Sequence, residues 1–320
     1  AGTVSTGVGG GNITLTADTN NSLQNISADG RFDGTIQFAA GANITAGTGN
    51  VTFSLADCDG SILSDIVSAT NITKENSGQL QFGGAAATFN YSGQTIINDG
   101  ILAVIGTLTD STPAVGGVSV DPDGTPGAIL GGTGTINANV TVASGGIVDP
   151  GTFSTVDGSV LNTGILQVNG DVTFESGSTF RVQLNGLVLG TEYDQLAVLG
   201  TVTIGDAITY LDAVVGFGVP IGGRFEILVN DLVDDIAPAN TATFVNAPAD
   251  ELTEGDFFTS GGISQTLFNI TYQADAIGGI NNGGTNDIVL TAPGRFDLNG
   301  VVFGPFYSNP TQSDTEVTWL

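Results

Sequence analysis

The fold of this chain is decided by Leu130-Gly-Gly-Thr-Gly-Thr-Ile136 and, just after it, Val140-Thr-Val142-Ala-Ser-Gly-Gly-Ile147-Val-Asp-Pro150-Gly151. Short alternating strand cores are separated there by glycine, asparagine and aspartate, residues that favour tight turns. The same pattern occurs earlier, in Leu80-Gln-Phe82 and Ile101-Leu-Ala-Val104. Further strand cores recur towards the N-terminus at a spacing of roughly twenty residues, which predicts a chain that coils turn upon turn into a β-solenoid.

Residues 71–151 resemble the autotransporter-associated β-strand repeat, a family found in large secreted and surface proteins of bacteria. The resemblance rests on the segments quoted above, on Lys74-Glu-Asn-Ser-Gly78 and on Tyr91-Ser-Gly93-Gln. It implies a right-handed β-solenoid and an extracellular or cell-surface protein of bacterial origin.

The strands lengthen after Gly151, as in Ser178–Leu184 and Gly223–Val229. Six to eight such strands with glycine, asparagine and aspartate turns predict an antiparallel β-sandwich or jelly roll. This part also resembles the C-terminal module that often follows these repeats, through Tyr193-Asp-Gln-Leu196, Gly223-Arg-Phe-Glu-Ile-Leu228 and Gly284-Thr-Asn-Asp-Ile-Val-Leu-Thr291. The predicted fold class is therefore all-β.

The predicted organisation has four parts. They are a flexible segment at 1–11, a solenoid at 12–151 with a projecting loop at 106–128, a sandwich at 152–294, and an apolar tail at 295–320. The loop is predicted from its prolines and paired glycines, which interrupt the strand pattern.

Composition excludes several classes of function. The net charge is −27, and with only five Lys and Arg residues the chain cannot neutralise a phosphate backbone, so nucleic acid is excluded as a partner. No apolar run is long enough for membrane insertion. Histidine is absent, which excludes a Ser-His-Asp triad, and Cys58 is the only cysteine, which excludes an intrachain disulfide. We predict no enzymatic activity and no organic cofactor.

The tail is predicted to be an assembly element because it concentrates scarce aromatic side chains. A closing strand on its own sandwich, a strand donated to another subunit and the start of a further domain all remain open. The residues assigned to assembly are Phe296, Phe303, Phe306, Tyr307, Val317 and Trp319.

Two kinds of polar motif are candidate sites. Carboxylates two residues apart in turns are candidate calcium ligands, although turn aspartates usually bond to their own backbone; they are Asp57 with Asp59, and Asp121 with Asp123. Nine Asn-x-Ser/Thr sequons are candidates for covalent glycans, although an asparagine at a corner followed by a threonine on a strand also suits a solenoid. The sequon asparagines are Asn12, Asn20, Asn25, Asn43, Asn50, Asn71, Asn90, Asn139 and Asn269.

These features predict an extracellular structural protein, a subunit of a surface fibre assembled head to tail from copies of itself into a helical filament through β-strand addition. The alternative is a surface adhesin or passenger segment that binds carbohydrate or a host ligand. A polysaccharide-degrading enzyme is a third hypothesis; residues 1–150 contain only two cationic side chains and few aromatic ones to hold sugar.

Overall fold

The computed structural model describes residues 3–5, 13–17, 36–38, 43–45, 48–55, 59–62, 65–83, 88–91, 93–110, 116–153, 160–205, 208–230, 236, 243–246, 250–262, 265–274 and 286–293. Its first strands are β1 (Thr3–Ser5), β2 (Ile13–Ala17), β3 (Ile36–Phe38), β4 (Asn43–Thr45), β5 (Val51–Leu55), β6 (Asp59–Ile62), β7 (Asp65–Ser68) and β8 (Ile72–Glu75). The next are β9 (Gln79–Phe82), β10 (Thr88–Tyr91), β11 (Gln94–Ile97), β12 (Gly100–Val104), β13 (Thr107–Asp110), β14 (Gly117–Val120), β15 (Ala128–Gly132) and β16 (Thr135–Asn137). Then come β17 (Val140–Val142), β18 (Ile147–Pro150), β19 (Thr152–Phe153), β20 (Val160–Asn162), β21 (Ile165–Val168), β22 (Val172–Phe174), β23 (Thr179–Leu184) and β24 (Gln195–Val198). The last are β25 (Val202–Ile204), β26 (Tyr210–Val215), β27 (Arg224–Val229), β28 (Phe244–Asn246), β29 (Asp250–Leu252), β30 (Phe257–Thr259), β31 (Gly261–Gly262), β32 (Leu267–Ala274) and β33 (Asp287–Thr291).

These strands coil into a three-sided stack, which confirms the all-β fold class and the solenoid. Each turn of the chain gives one strand to each of three long sheets, as β11, β12 and β13 do, and strands of successive turns pair in parallel. Within the described residues the sheets contain eight, eleven and twelve strands. In the described part of the chain no helix is long and apolar enough to cross a membrane.

Alternating residues of each strand fill the interior of the stack. In β5 and β17 the apolar residues on either side of a threonine are buried while the threonine is half-buried. Phe53 and Phe82 meet edge to face in this core, with ring centroids 6.1 Å apart. Burial of each large apolar side chain contributes roughly 1.5–3 kcal/mol, so stacked turns supply stability that a single turn lacks.

The predicted antiparallel sandwich is not confirmed. The strands from β21 to β27 are further turns of the same parallel stack, since β21 pairs in parallel with β24 and β23 with β26. Sandwich strands and solenoid strands have the same length and the same alternation of apolar and polar residues. The two architectures differ in which strand pairs with which. Here the partner is the strand one turn away.

Antiparallel pairing between strands of the three long sheets lies at the C-terminal end of the described stack. There β27 pairs with β33, β33 with β32, and β32 with β30. The ring of Phe244 in β28 packs on Phe174 and Phe180, with centroids 6.0 Å from each. Strand β28 therefore covers apolar groups that the last turns leave at the end of the core.

Two other predicted segments contain strands of the stack. Within the predicted loop 106–128, β13 pairs with β16 and β14 pairs with β17. The projecting-loop prediction is wrong for these strands, because alternating Leu and Val residues outweigh the nearby glycines. In the predicted flexible segment 1–11, β1 pairs with β4, and the remaining residues of that segment lie outside the described ones. The tail 295–320 also lies outside them.

Candidate binding surface

The stack presents three outward faces, one for each long sheet. Side chains alternate along a strand, so each sheet directs one set into the core and the other set outward. In-register pairing then places equivalent positions of successive turns in columns, with neighbours about 4.8 Å apart. The chemistry of each column decides whether that face is available to a ligand.

The outward face of the eleven-stranded sheet carries an acid–base–acid column. Arg181 is the register partner of Asp212, and its Nε donates to Asp212 Oδ2 over 2.8 Å. On its other side, Arg181 Nη1 lies 3.6 Å from Asp149 Oδ2. Asp149 is only 1% exposed, and burial raises its pKa to about 6 although Gln183 and Arg181 oppose the shift. Because one carboxylate is buried and the arginine holds both, this column does not offer the accessible acid pair that glycoside hydrolysis requires.

A buried carboxylate next to this column connects neighbouring turns. Asp194 Oδ1 accepts a hydrogen bond from the Gly164 amide and Oδ2 accepts one from the Gln183 amide, each over 2.7 Å. The Gln183 side chain donates to Asp149 over 3.0 Å. Asp194 is fully buried, and burial raises its pKa to about 8 although both amides oppose the shift. Its bonds within the protein give Asp194 a structural role.

The hairpin of β19 and β20 covers another part of the same face. Phe153 packs outside the main core in a small apolar cluster with Ile101 and Ala103, and Ile129 lies against it. The hairpin interrupts the coil between β18 and β21 and leaves the three-sheet pattern intact. This part of the eleven-stranded sheet is thus occupied by the chain itself.

The outward face of the twelve-stranded sheet carries amides that bind one another. Asn169 Nδ2 donates to Asn137 Oδ1 over 2.6 Å, and Asn137 Nδ2 donates to Thr109 Oγ1 over 3.0 Å. Gln167 Nε2 donates to Asn169 Oδ1 over 2.6 Å. These contacts stabilise successive turns and use up polar groups that a ligand would otherwise bind.

The outward face of the eight-stranded sheet carries a column of hydroxyl groups. Register pairing runs through every one of its strands, and seven of the eight positions are threonine or serine. The column consists of Thr14, Thr52, Thr73, Ile96, Ser119, Thr141, Thr173 and Thr203. We call it the hydroxyl column. Sequence analysis missed it, although a recurring apolar–Thr–apolar triplet, as in Val140-Thr-Val142 and Val172-Thr-Phe174, marks it.

A second column of polar side chains lies beside the hydroxyl column, at the corner where the chain enters the eight-stranded sheet. Asn71 Oδ1 accepts from the Gln94 amide of the next turn, and Asn139 Oδ1 accepts from the Asp171 amide, both over 2.9 Å. Asp171 Oδ1 continues the column by accepting from the Thr201 amide over 2.9 Å. Corner asparagines therefore have a structural role whether or not they carry sugar.

The structure places six of the nine sequon asparagines. Asn50, Asn71 and Asn139 precede β5, β8 and β17, while Asn43, Asn90 and Asn269 lie in β4, β10 and β32. Asn139 is exposed and its Oδ1 accepts a hydrogen bond, while Nδ2, the atom that would carry a glycan, has no hydrogen-bond partner among the described residues. Asn269 Nδ2 instead donates to the carbonyl of Gly255. The sequons at Asn12, Asn20 and Asn25 lie outside the described residues.

The acidic turns do not form a metal centre in the described residues, where no three His, Cys, Asp or Glu side chains are grouped to hold an ion. Asp121 is 1% exposed and neither of its carboxylate oxygens has a hydrogen-bond partner. Burial raises its pKa to about 6, and the carboxylates of Asp123 and Asp99 add to the shift. Asp123 Oδ1 accepts from the Thr125 amide over 2.9 Å, the usual role of a turn aspartate. Asp59 begins β6 and Asp57 lies outside the described residues, so calcium binding stays a prediction.

Lys74 is a charged side chain inside the stack. It occupies an inward position of β8, where Phe53 and Ile97 are its register partners, and it is fully buried. Its Nζ donates to the carbonyls of Glu75 and Asp99 over 2.9 and 3.0 Å, and also to that of Asn76. Burial lowers the pKa of Lys74 to about 8, although nearby acidic groups oppose the shift. The ammonium group thus binds carbonyls from two turns.

The residues assigned to assembly lie outside the described ones. They are Phe296, Phe303, Phe306, Tyr307, Val317 and Trp319. Whether this tail pairs within its own subunit or with another stays a prediction.

Comparison with known proteins gives a partial likeness. No family model matches the chain. The chain is similar to the adhesin BmaC autotransporter of Brucella suis biovar 1 (strain 1330), with 36% identity over 129 residues. The match covers 38% of this chain and 4% of the adhesin. The likeness supports a relation to autotransporter-associated proteins, and the chain spans only a small part of the length of this adhesin.

Proposed function

We propose that this chain is a segment of a bacterial surface adhesin, a β-solenoid that holds a ligand-binding face outside the cell. The observation that carries the proposal is the parallel stacking that continues from β2 to β27 through three sheets. Such a stack fixes outward side chains at regular positions on a rigid support, which suits repeated weak contacts. The partial likeness to an autotransporter adhesin supports the same conclusion.

The charges of the chain also favour binding over catalysis. Histidine is absent from the sequence, and two carboxylates with raised pKa values, those of Asp149 and Asp194, are buried and bonded within the stack. A third, that of Asp121, is buried in a turn. The net charge of −27 repels polyanions, so the ligand is expected to be neutral or cationic.

Adhesion is tested with latex beads coated with the purified chain. Beads are passed over host-cell monolayers and over immobilised extracellular matrix and glycans, and the number retained under flow is counted. We expect retention well above that of beads coated with the heat-unfolded chain or with an unrelated protein of equal negative charge. Retention no higher than that of the control beads on every surface tested would overturn the proposal.

The fibre subunit is a second candidate, with copies of this chain as partners. The observation that favours it is the apolar end of the twelve-stranded sheet, where Phe257 is 49% exposed and Leu267 is 36% exposed. If strand addition builds a filament, the full chain sediments as long assemblies at high concentration, and deletion of residues 295–320 leaves a folded monomer. Filaments that persist after this deletion would show that the tail is not the donor strand.

A further inference from the structure

We infer that the hydroxyl column on the eight-stranded sheet is the ligand-binding face, and that its ligand is an extended, neutral polysaccharide. The inference rests on the proposed function, adhesion at the bacterial surface, and adds to it a site and a class of ligand.

The hydroxyls of the column are available to a ligand. Thr52, Thr73, Ser119, Thr141 and Thr173 are half-buried, and none of their side-chain hydroxyls forms a hydrogen bond within the described residues. The other two faces differ, since amides bind one another on the twelve-stranded sheet and ion pairs and a hairpin occupy the eleven-stranded sheet. Thr107 and Thr135 on the twelve-stranded sheet are also unbonded, but among the described residues the longer run of unused hydroxyls lies on the eight-stranded sheet.

The spacing of the column suits an extended polymer. Strands of one sheet are about 4.8 Å apart, so the eight positions from Thr14 to Thr203 span roughly 34 Å. A threonine presents a hydroxyl, which both donates and accepts, beside a methyl group. A sugar ring presents hydroxyls and apolar C–H groups in the same way. Many weak contacts along one polymer add through effective concentration, whereas a single sugar would make only one or two.

The charge of the column selects a neutral polymer. No charged residue stands in the column itself, where the only residue without a hydroxyl is Ile96. Beside it, Asn71 and Asn139 use their Oδ1 atoms on the neighbouring turn, and Asp171, in the same corner column, adds a negative charge that disfavours an acidic ligand. The net charge of −27 disfavours acidic polysaccharides.

The test compares two matched double variants. T173V/T203V removes two hydroxyls from adjacent turns of the column and keeps the β-branched shape. T107V/T135V makes the same change at register partners on the twelve-stranded sheet, where the next positions are Gln167 and Ala197. None of these four threonines belongs to a sequon, so a covalent glycan does not confuse the comparison. Ser119→Ala is a third variant in the column.

Binding is measured by calorimetry against soluble β-glucan, mannan and dextran, with polygalacturonate as the acidic comparison, after circular dichroism has shown that each variant is folded. We expect binding to at least one neutral polymer that strengthens with chain length. T173V/T203V should weaken it at least threefold and S119A less, while T107V/T135V should leave it within experimental error. Equal affinity of both double variants, or binding to polygalacturonate alone, would overturn the inference. If the beads are retained but no polysaccharide binds, the proposed adhesion would stand and the hydroxyl column would not be the binding site.

Discussion

The ring of Phe153 lies so close to Gly131 that a methyl group built on the glycine would be 2.3 Å from Cε2 of the ring. The same methyl group would be 2.4 Å from the carbonyl oxygen of Asp149. Gly131 therefore provides the flat place on β15 where the hairpin of β19 and β20 rests.

Substitution of Gly131 by alanine should displace the hairpin and lower stability by about 1–3 kcal/mol, the usual range for overpacking. The matched control is Gly261→Ala in β31, where a methyl group would be 3.7 Å from its nearest neighbour. Thermal unfolding followed by circular dichroism should show a lower midpoint for G131A alone. In a Phe153→Ala background the loss of stability caused by G131A should be smaller, since one of the two close contacts is gone. An equal loss in both backgrounds would show that contact with Phe153 is not its cause.

Asp194 should make stability fall as the pH rises. Burial raises its pKa in the native state from 3.8 to about 8, so between these values the native state binds more protons than the unfolded state. This contribution is present in full below about pH 4 and is lost by about pH 8. Denaturant unfolding from pH 4.5 to 8.5 should show a smaller decline in Asp194→Asn than in the wild type. The variant should also be less stable by about 1–3 kcal/mol at pH 5, because an amide cannot accept from both backbone N–H groups. If the unfolding free energies of the two proteins change equally with pH, Asp194 is not the source of the decline.

Lys74 should have the opposite dependence in a higher range of pH. Its pKa is lowered from 10.5 to about 8 by burial, so between these values the unfolded state holds the proton that the native state has released. Stability gained from this residue should therefore rise from about pH 8 to pH 10.5. Lys74→Met should lose this rise and leave carbonyls of Glu75, Asn76 and Asp99 without a donor. The difference in unfolding free energy between wild type and K74M, measured at pH 7.5 and 9.5, should grow with pH. A constant difference would show that the ammonium keeps its ordinary pKa.

Asn139 is the sequon at which we expect a covalent glycan, since it is exposed and its Nδ2 atom has no hydrogen-bond partner among the described residues. In protein isolated from its native host, a proteolytic peptide that contains Asn139 should exceed the mass of its sequence by whole sugar units. Thr141→Val destroys the sequon and keeps the bond from the Asp171 amide to Asn139 Oδ1, so it should remove the sugar without loss of stability. An Asn139 peptide of unmodified mass would refute glycosylation at this sequon.

The solenoid could be predicted from sequence because glycine, asparagine and aspartate mark its corners and apolar residues alternate between them. Its extent could not, because the alternation in Ser178–Leu184 is equally that of a sandwich strand. Only pairing with β26 shows it to be a turn of the stack. The buried positions of Lys74 and Asp194 could not be predicted either, because one partner of each comes from another turn: the Asp99 carbonyl for Lys74 and the Gly164 amide for Asp194. The repeated Val-Thr-Val and Val-Thr-Phe triplets of the hydroxyl column are visible in the sequence. They indicate a column only when the strands are known to stack in register.

The parallel stacking of turns has a mechanical consequence. Hydrogen bonds between turns run along the axis of the stack, so tension applied to its two ends loads them in series and opens the outermost turn first. Val140 and its register partner Val172 are 32 residues apart, and release of such a turn would add roughly 110 Å of extended chain. Under shear the solenoid would therefore lengthen in steps, each dissipating force, while the remaining turns keep their hold on the ligand.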